Sequence, residues 1–266
     1  MFDDRIQGPG PQHEHDVTIC MPYFERSAEL HAGIEAFHRH GYFDGSYFYN
    51  VGLSLCDDGS MREPLKTGDD FFKEFGARAR VSHLPKKDRW DNPCVPLNRA
   101  VAQSSSPWII LQSPETIHRV DVIMPMLERA TRPEISVLCP VVSRNARGAL
   151  IWRAHPSRPD RLWFLQLVSR ELWDEVGGCD ERFRGGGGSD DRALQYRLER
   201  AGVEWVFLPE EYWAYHRKHE KAFRYKCEGN RDKIAKLYGV APHVKHKAEL
   251  SISELKRLGL YNSEVY

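Results

Sequence analysis

Short apolar runs alternate with amphipathic stretches over most of the chain. Residues 17–21 (VTICM) are apolar, rich in β-branched side chains and closed by Pro22, which reads as a buried strand. Between Arg26 and His40, the residues Leu30, Ile34 and Phe37 fall at i, i+4 and i+7, one face of a helix. Residues 47–56 are again strand-like, and Asp57-Asp58-Gly59-Ser60 follows as turn chemistry. Strand, helix and strand in this order open a parallel α/β sheet.

The alternation continues with a strand at 79–84, a helical turn or two at 98–103, and a fully apolar strand at 108–111. Val120, Ile123, Met124 and Leu127 space a helix, and residues 136–139 form another strand. The stretch 143–162 is rich in Arg and Pro without a period, which predicts a loop or lid. A strand at 163–168 then leads into a short helix capped by Ser169 and stopped at Gly177-Gly178. Leu194, Leu198 and Ala201 mark a helix over 190–201 that ends at Gly202, and 204–208 is the last strand. Beyond His216 the chain is polar and basic, with helices expected near 217–238 and 246–258. The expected organisation is a disordered leader at 1–15, one α/β domain at 16–220 with a mostly parallel sheet flanked by helices, and a helical extension at 221–266.

Composition narrows the classes. The 266 residues carry 38 Lys+Arg against 38 Asp+Glu, and 41% are hydrophobic, the profile of a globular protein. A net charge of zero excludes binding to nucleic acid through bulk charge, although a local basic patch remains compatible with it. No run approaches the roughly 18 apolar residues of a membrane span, and the polar, Pro/Gly-rich start is not a secretory signal. Six cysteines are spread almost evenly with no C-x-x-C spacing, so they form neither a zinc ribbon nor a disulfide framework. A reduced, cytoplasmic protein is expected.

Four places carry candidate chemistry. Asp57-Asp58-Gly59-Ser60 ends the second strand, where open α/β sheets bind ligands, although Asp-Gly is also an ordinary turn. Gly177-Gly178-Cys179-Asp180-Glu181-Arg182-Phe183 is followed by four glycines at 185–188, then Ser189-Asp190-Asp191; the acids also suit plain helix capping. His216-Arg217-Lys218-His219 has the H-x-x-H spacing of a metal site, in a chain with 12 histidines. Gln112-Ser113-Pro114-Glu115-Thr116-Ile117-His118 offers an acid and an imidazole just past a strand.

Taken in order, these stretches resemble the GT-A glycosyltransferases, in particular family 2-like enzymes with a galactosyltransferase-type C-terminal half. The resemblance spans roughly residues 16–220 and rests on Pro22-Tyr23-Phe24-Glu25-Arg26, the DDGS turn, Asn98 before the strand at 108–111, GGxDExF at 177–183, Asp190-Asp191 and the AYHRKH at 214–219. It implies a Rossmann-like GT-A sheet that binds a nucleotide-diphosphate sugar, a UDP-sugar foremost, and transfers the sugar to an acceptor hydroxyl with inversion. Pro22, Tyr23, Arg26, Asp57, Asp58, Asn98 and Gln112 fall at donor-side positions. Asp190 and Asp191 match the family's acidic pair, with Asp191 (or Asp190, by the other register) as general base. His216 matches a histidine that often ligates metal.

The chain departs from the family at Gln112-Ser113-Pro114, where an Asp-x-Asp motif normally holds the cation. Glu115 is the nearest replacement, with His216 and, third, His118; imidazole donors favour Mn²⁺ over Mg²⁺. The same departure is compatible with a metal-independent enzyme or with a non-catalytic module that binds a sugar nucleotide or glycan. The acceptor is a glycan or, given the basic segment 217–236 with Phe223 and Tyr225, a hydroxyl on a modified nucleic-acid base.

Overall fold

The computed structural model describes residues 15–66, 72, 75–86, 92–144, 148–153, 155, 164–183, 189–219 and 228–239. The element order is β1 (Val17–Tyr23), α1 (Ser27–Arg39), β2 (Val51–Asp57), β3 (Ala79–His83), α2 (Cys94–Ala102), β4 (Trp108–Gln112), β5 (Thr116–His118), α3 (Ile123–Arg129) and β6 (Ile135–Leu138). There follow β7 (Val141–Arg144), β8 (Leu150–Arg153), β9 (Leu165–Ser169), α4 (Arg170–Val176), α5 (Asp190–Arg200), β10 (Glu204–Phe207), β11 (Ala214–His216) and α6 (Glu228–Tyr238).

Seven strands form the main sheet in the order β10-β6-β9-β4-β1-β2-β3. All pairs are parallel except those of β9, which runs antiparallel to both β4 and β6. Every residue of β1 and β2 is buried, as befits central strands covered on both faces. Their side chains alternate between two cores. Ile19 and Met21 pack with Leu30, Ile34 and Phe37 of α1 and with Met126 of α3. Cys20 and Cys56 pack with Leu97 of α2, Trp173 of α4 and Leu194 of α5. The five described cysteines are buried and free, small hydrophobes as expected.

β1 continues through Pro22, where the sequence pattern predicts its end. The Tyr23 carbonyl accepts the Asp58 N–H at 2.8 Å, so Tyr23 turns its backbone to β2 and Pro22 turns to the β4 side. Pairing with β4 has already stopped at Cys20, and the missing N–H of Pro22 therefore costs no ladder bond.

A second correction concerns 143–162. Part of this expected lid is an antiparallel hairpin, β7 with β8, in a second sheet of order β5-β11-β7-β8. Strands of three or four residues are too short to impose a visible period. The helix at 98–103 also starts earlier, at Cys94. The glycine run 185–188, most of the leader, and the region 246–258 lie outside the described residues. Among the described residues, no helix is long and apolar enough to cross a membrane.

The sequence placed the α4 cap correctly. Ser169 Oγ accepts the Leu172 N–H at 3.0 Å and donates to the Pro133 carbonyl at 2.7 Å. Ser169→Ala leaves both groups without this partner and is expected to cost about 2 kcal/mol. Urea unfolding checks this, with a lowered midpoint at unchanged m-value.

Candidate functional site

Parallel pairing brings the carboxyl ends of β1, β2 and β4 to one edge of the sheet. The acids of α5 reach the same edge. Helix α4 starts at Ser169, opposite Trp108 at the far edge, and α5 returns there to enter β10 at Glu204, opposite Ile135. The start of α5, with Asp190 and Asp191, thus lies at the edge where β2 and β4 end.

On the β1–β2 side, one buried carboxylate organises the loop after the DDGS turn. Glu25 is 8% exposed and sits in the left-handed region at φ 50°. Its Oε1 accepts the N–H groups of Met61 and Arg62 at 2.8 and 2.9 Å, and its Oε2 accepts that of Glu63 at 2.8 Å. Burial works against this charge, but the three backbone donors outweigh it and hold the carboxyl below its usual range. Tyr23 Oη donates to the Glu63 carbonyl, and Asp57 accepts from the Ser60 and Leu65 N–H groups at 2.8 and 2.9 Å. Gly59, at φ 82°, lies where a Cβ would overlap the Pro85 carbonyl oxygen. Pro22, Tyr23 and Asp57 therefore belong to the hydrogen-bonded network at the carboxyl ends of β1 and β2, with Asp58 buried beside them at 1% exposure. Glu25 was not legible as a site residue, because nothing in its spacing marks a left-handed turn.

On the β4 side, antiparallel pairing of β5 with β11 sets His216 opposite Thr116, one residue from Glu115. The Arg217 N–H donates to the Glu115 carbonyl at 2.8 Å and extends the ladder. Glu115, His216 and His219 each bring a ligand atom within 4.8 Å of the others. Glu115 Oε1 lies 3.6 Å from His219 Nε2 and accepts from Arg26 Nε at 3.0 Å. The ring of Phe164 meets that of His216 edge-on at 5.1 Å.

The expected third ligand is elsewhere. His118 is 0% exposed; its Nδ1 meets Tyr42 Oη at 3.1 Å and its Nε2 meets Gln112 Oε1 at 2.9 Å. Thr116 and His118 share the buried face of β5, and alternation turns Glu115 away from them. His219, one helical turn's worth of sequence beyond His216, takes the place expected of His118. Gln112 is likewise fully buried, donating to the Thr116 carbonyl at 2.9 Å, which places its amide in the core.

On the α5 side, Asn98 clamps the glycine-pair loop. Its Oδ1 accepts the Cys179 N–H, and its Nδ2 donates to the Cys179 carbonyl and to Glu181, each at 2.9 Å. Its amide is engaged in packing α2 against this loop. A side chain at Gly178 is strained, since φ is 66° and a Cβ would come 2.8 Å from Asn98 Oδ1. Asp190 is 6% exposed, whereas Asp191 is half-buried and accepts the Arg192 N–H at 2.8 Å. Ser189, before them, is at φ 71°. Ser189 and Glu25 are the two left-handed non-glycine residues among those described, and each adjoins one of the candidate segments at this sheet edge.

No protein-family model matches the chain, and no curated protein matches it in sequence. Solved structures do. A mannosyltransferase of Pyrobaculum calidifontis, PcManGT, in complex with GDP-Man and Mn²⁺, aligns over 80% of this chain at TM-score 0.56 and 12% identity. GalNAc-T7 with UDP, GalNAc and Mn²⁺ aligns over 79% at TM-score 0.58 and 14% identity. S. aureus TarS aligns over 91% at TM-score 0.62 and 11% identity. The chain has a GT-A fold. It spans 60%, 44% and 42% of the lengths of these three GT-A proteins.

Two expectations follow from the site geometry. Glu25→Gln turns an amide N–H₂ toward backbone donors, so the Met61, Arg62 and Glu63 amides should exchange faster with solvent, with a stability loss of about 1–3 kcal/mol. Hydrogen exchange read by mass spectrometry checks this. Burial, followed by the nearby His40 charge, pushes the His118 pKa down to about 3. Its folded pKa is depressed, so stability is full above the unfolded value of about 6.5 and declines as pH falls toward 3, by at most about 1.4 kcal/mol per unit. Urea titrations at pH 7 and pH 5 should show the loss; equal stability at both contradicts the assignment.

Proposed function

We propose that this chain is a glycosyltransferase that moves a sugar from a nucleotide-diphosphate donor, a UDP-sugar foremost, to an acceptor hydroxyl with inversion. The observation that carries the reading is the meeting at one sheet edge of the Glu115–His216–His219 cluster and the acids that open α5. Asp191 is the general base: it is the more exposed of the two acids and can meet an incoming acceptor, taking its proton as the oxygen attacks the anomeric carbon. Asp190, buried at its side, holds the alternative register. Arg26 and the loop fixed by Glu25, Tyr23 and Asp57 line the donor side, with Asp58 next to them.

A divalent cation fits the cluster, whose donor set is one carboxylate oxygen and two imidazole nitrogens in partly buried positions. Glu115, His216 and His219 would hold it, Mn²⁺ in preference to Mg²⁺, and it supplies charge stabilisation for the departing diphosphate. PcManGT and GalNAc-T7, described with Mn²⁺, support this. A glycan acceptor is the simplest reading. Of the basic segment 217–236 that motivates a nucleic-acid acceptor, residues 220–227 lie outside the described residues.

A second reading, a sugar-nucleotide-binding module without turnover, draws on the absent Asp-x-Asp and on a Gln112 committed to the core. Asp191→Asn separates the two. Under the proposed function it abolishes transfer by at least about a hundredfold, the usual scale of lost general-base catalysis, while UDP still binds by calorimetry. Normal turnover in the variant removes Asp191 from the role. A wild-type protein that binds UDP yet transfers no sugar supports the binding module.

A further inference from the structure

The Glu115 carboxylate already has a cation. Arg26 Nε donates to Glu115 Oε1 at 3.0 Å, the same oxygen that faces His219 Nε2 at 3.6 Å. Both partners are largely withdrawn from water, with side-chain exposures of 13% and 12%. Arg26 is held from behind, since one terminal N–H₂ donates to the Glu25 carbonyl at 3.0 Å. That carbonyl belongs to the left-handed residue whose carboxylate fixes the loop at 61–63. The guanidinium therefore stands between the cation cluster and the donor-side loop.

We propose that Arg26 makes this site accept a divalent cation together with a diphosphate and reject the cation alone. The inference rests on the cation-site reading of Glu115, His216 and His219. With Arg26 paired to Glu115 the two charges cancel, and a free dication must both displace a guanidinium and sit beside it at low water exposure, where like charges repel strongly. A diphosphate changes the balance. Its oxygens offer the guanidinium a bidentate partner in exchange for the carboxylate, and Glu115 is released to the metal. Arg26 is a specificity-determining residue in this account, and its forked, always-charged head suits the exchange better than a lysine.

Mn²⁺ binding to the full chain, followed by electron paramagnetic resonance without nucleotide, and UDP binding by calorimetry at saturating Mn²⁺ test this. Arg26→Met keeps the aliphatic stem and removes the charge. The expected result is tighter binding of Mn²⁺ alone, by about tenfold, the scale of one lost surface-to-buried ion pair, together with weaker binding of UDP. Glu115→Gln should lose Mn²⁺ in both backgrounds, and Arg26→Lys should fall between wild type and Arg26→Met. A merely structural role for Arg26 would weaken both ligands, and that result overturns the proposal. Mn²⁺ affinity unchanged in Arg26→Met overturns it while leaving the cation site intact. Absence of Mn²⁺ binding in every variant overturns both the proposal and the cation reading beneath it. If Arg26→Met does not fold, Arg26→Lys and Arg26→Gln give the same pair of measurements.

Discussion

Parallel pairing of β1 with β2 on one side and β4 on the other is the constraint from which the rest follows. Three strands that run the same way must all end at the same edge, and their next residues leave the ladder together. Each departing segment carries backbone donors that need partners. Here the N–H donors are met by side chains, Glu25 for residues 61–63 and Asp57 for Ser60 and Leu65, while Tyr23 Oη donates to the Glu63 carbonyl. The loop at this edge is therefore fixed by charge-assisted hydrogen bonds to buried carboxylates, which are stronger and more directional than apolar packing of a loop.

The Glu115–His216–His219 cluster depends on a smaller piece of pairing. β5 and β11 have three residues each, too few to be stable as an isolated strand pair. They persist because β11 also pairs with β7, and because His118 is locked between Tyr42 and Gln112 in the core. A buried imidazole kept neutral can satisfy one donor and one acceptor without the cost of an internal charge. His118 thereby holds in place the strand that presents Glu115, one residue upstream, to His216 and His219.

The acidic side is held from two directions. Asn98 and Arg197 grip the loop between α4 and α5, Arg197 through the Gly178 and Val176 carbonyls. From the other side α6 packs Ile234 against Phe183 and Ala193, and Tyr238 Oη donates to Asp180 Oδ2 at 2.6 Å. Burial opposes the Asp180 charge, yet its hydrogen bonds from Arg182 and Tyr238 bring the pKa down to about 2. The described helix of the C-terminal segment is thus packed against the very loop that leads into Asp190 and Asp191.

Much of this is written in the sequence as local pattern. The apolar runs at 17–21 and 108–111, the i, i+4, i+7 face of Leu30, Ile34 and Phe37, and the Ser169 cap each depend on a few neighbouring residues, and each marked an element that formed there, with β1 running on to Tyr23. The order of the motifs likewise singled out Asp57, Asp58, Asp190, Asp191 and His216, and Glu115 stood out as the acid nearest the missing Asp-x-Asp. What the sequence could not decide is which of several similar side chains turn toward one another. His118 is three residues from Glu115 and His219 is more than a hundred away, yet strand alternation hides the first and antiparallel registry delivers the second. Gln112 and Asn98 have the right place in the motif order but spend their amides on the core and on the 179–181 loop. Glu25 looks like any surface acid until a left-handed turn points it inward. Periodicity records which face of an element is buried; only the packed chain fixes which atoms meet, because those meetings join segments with no sequence relation to each other.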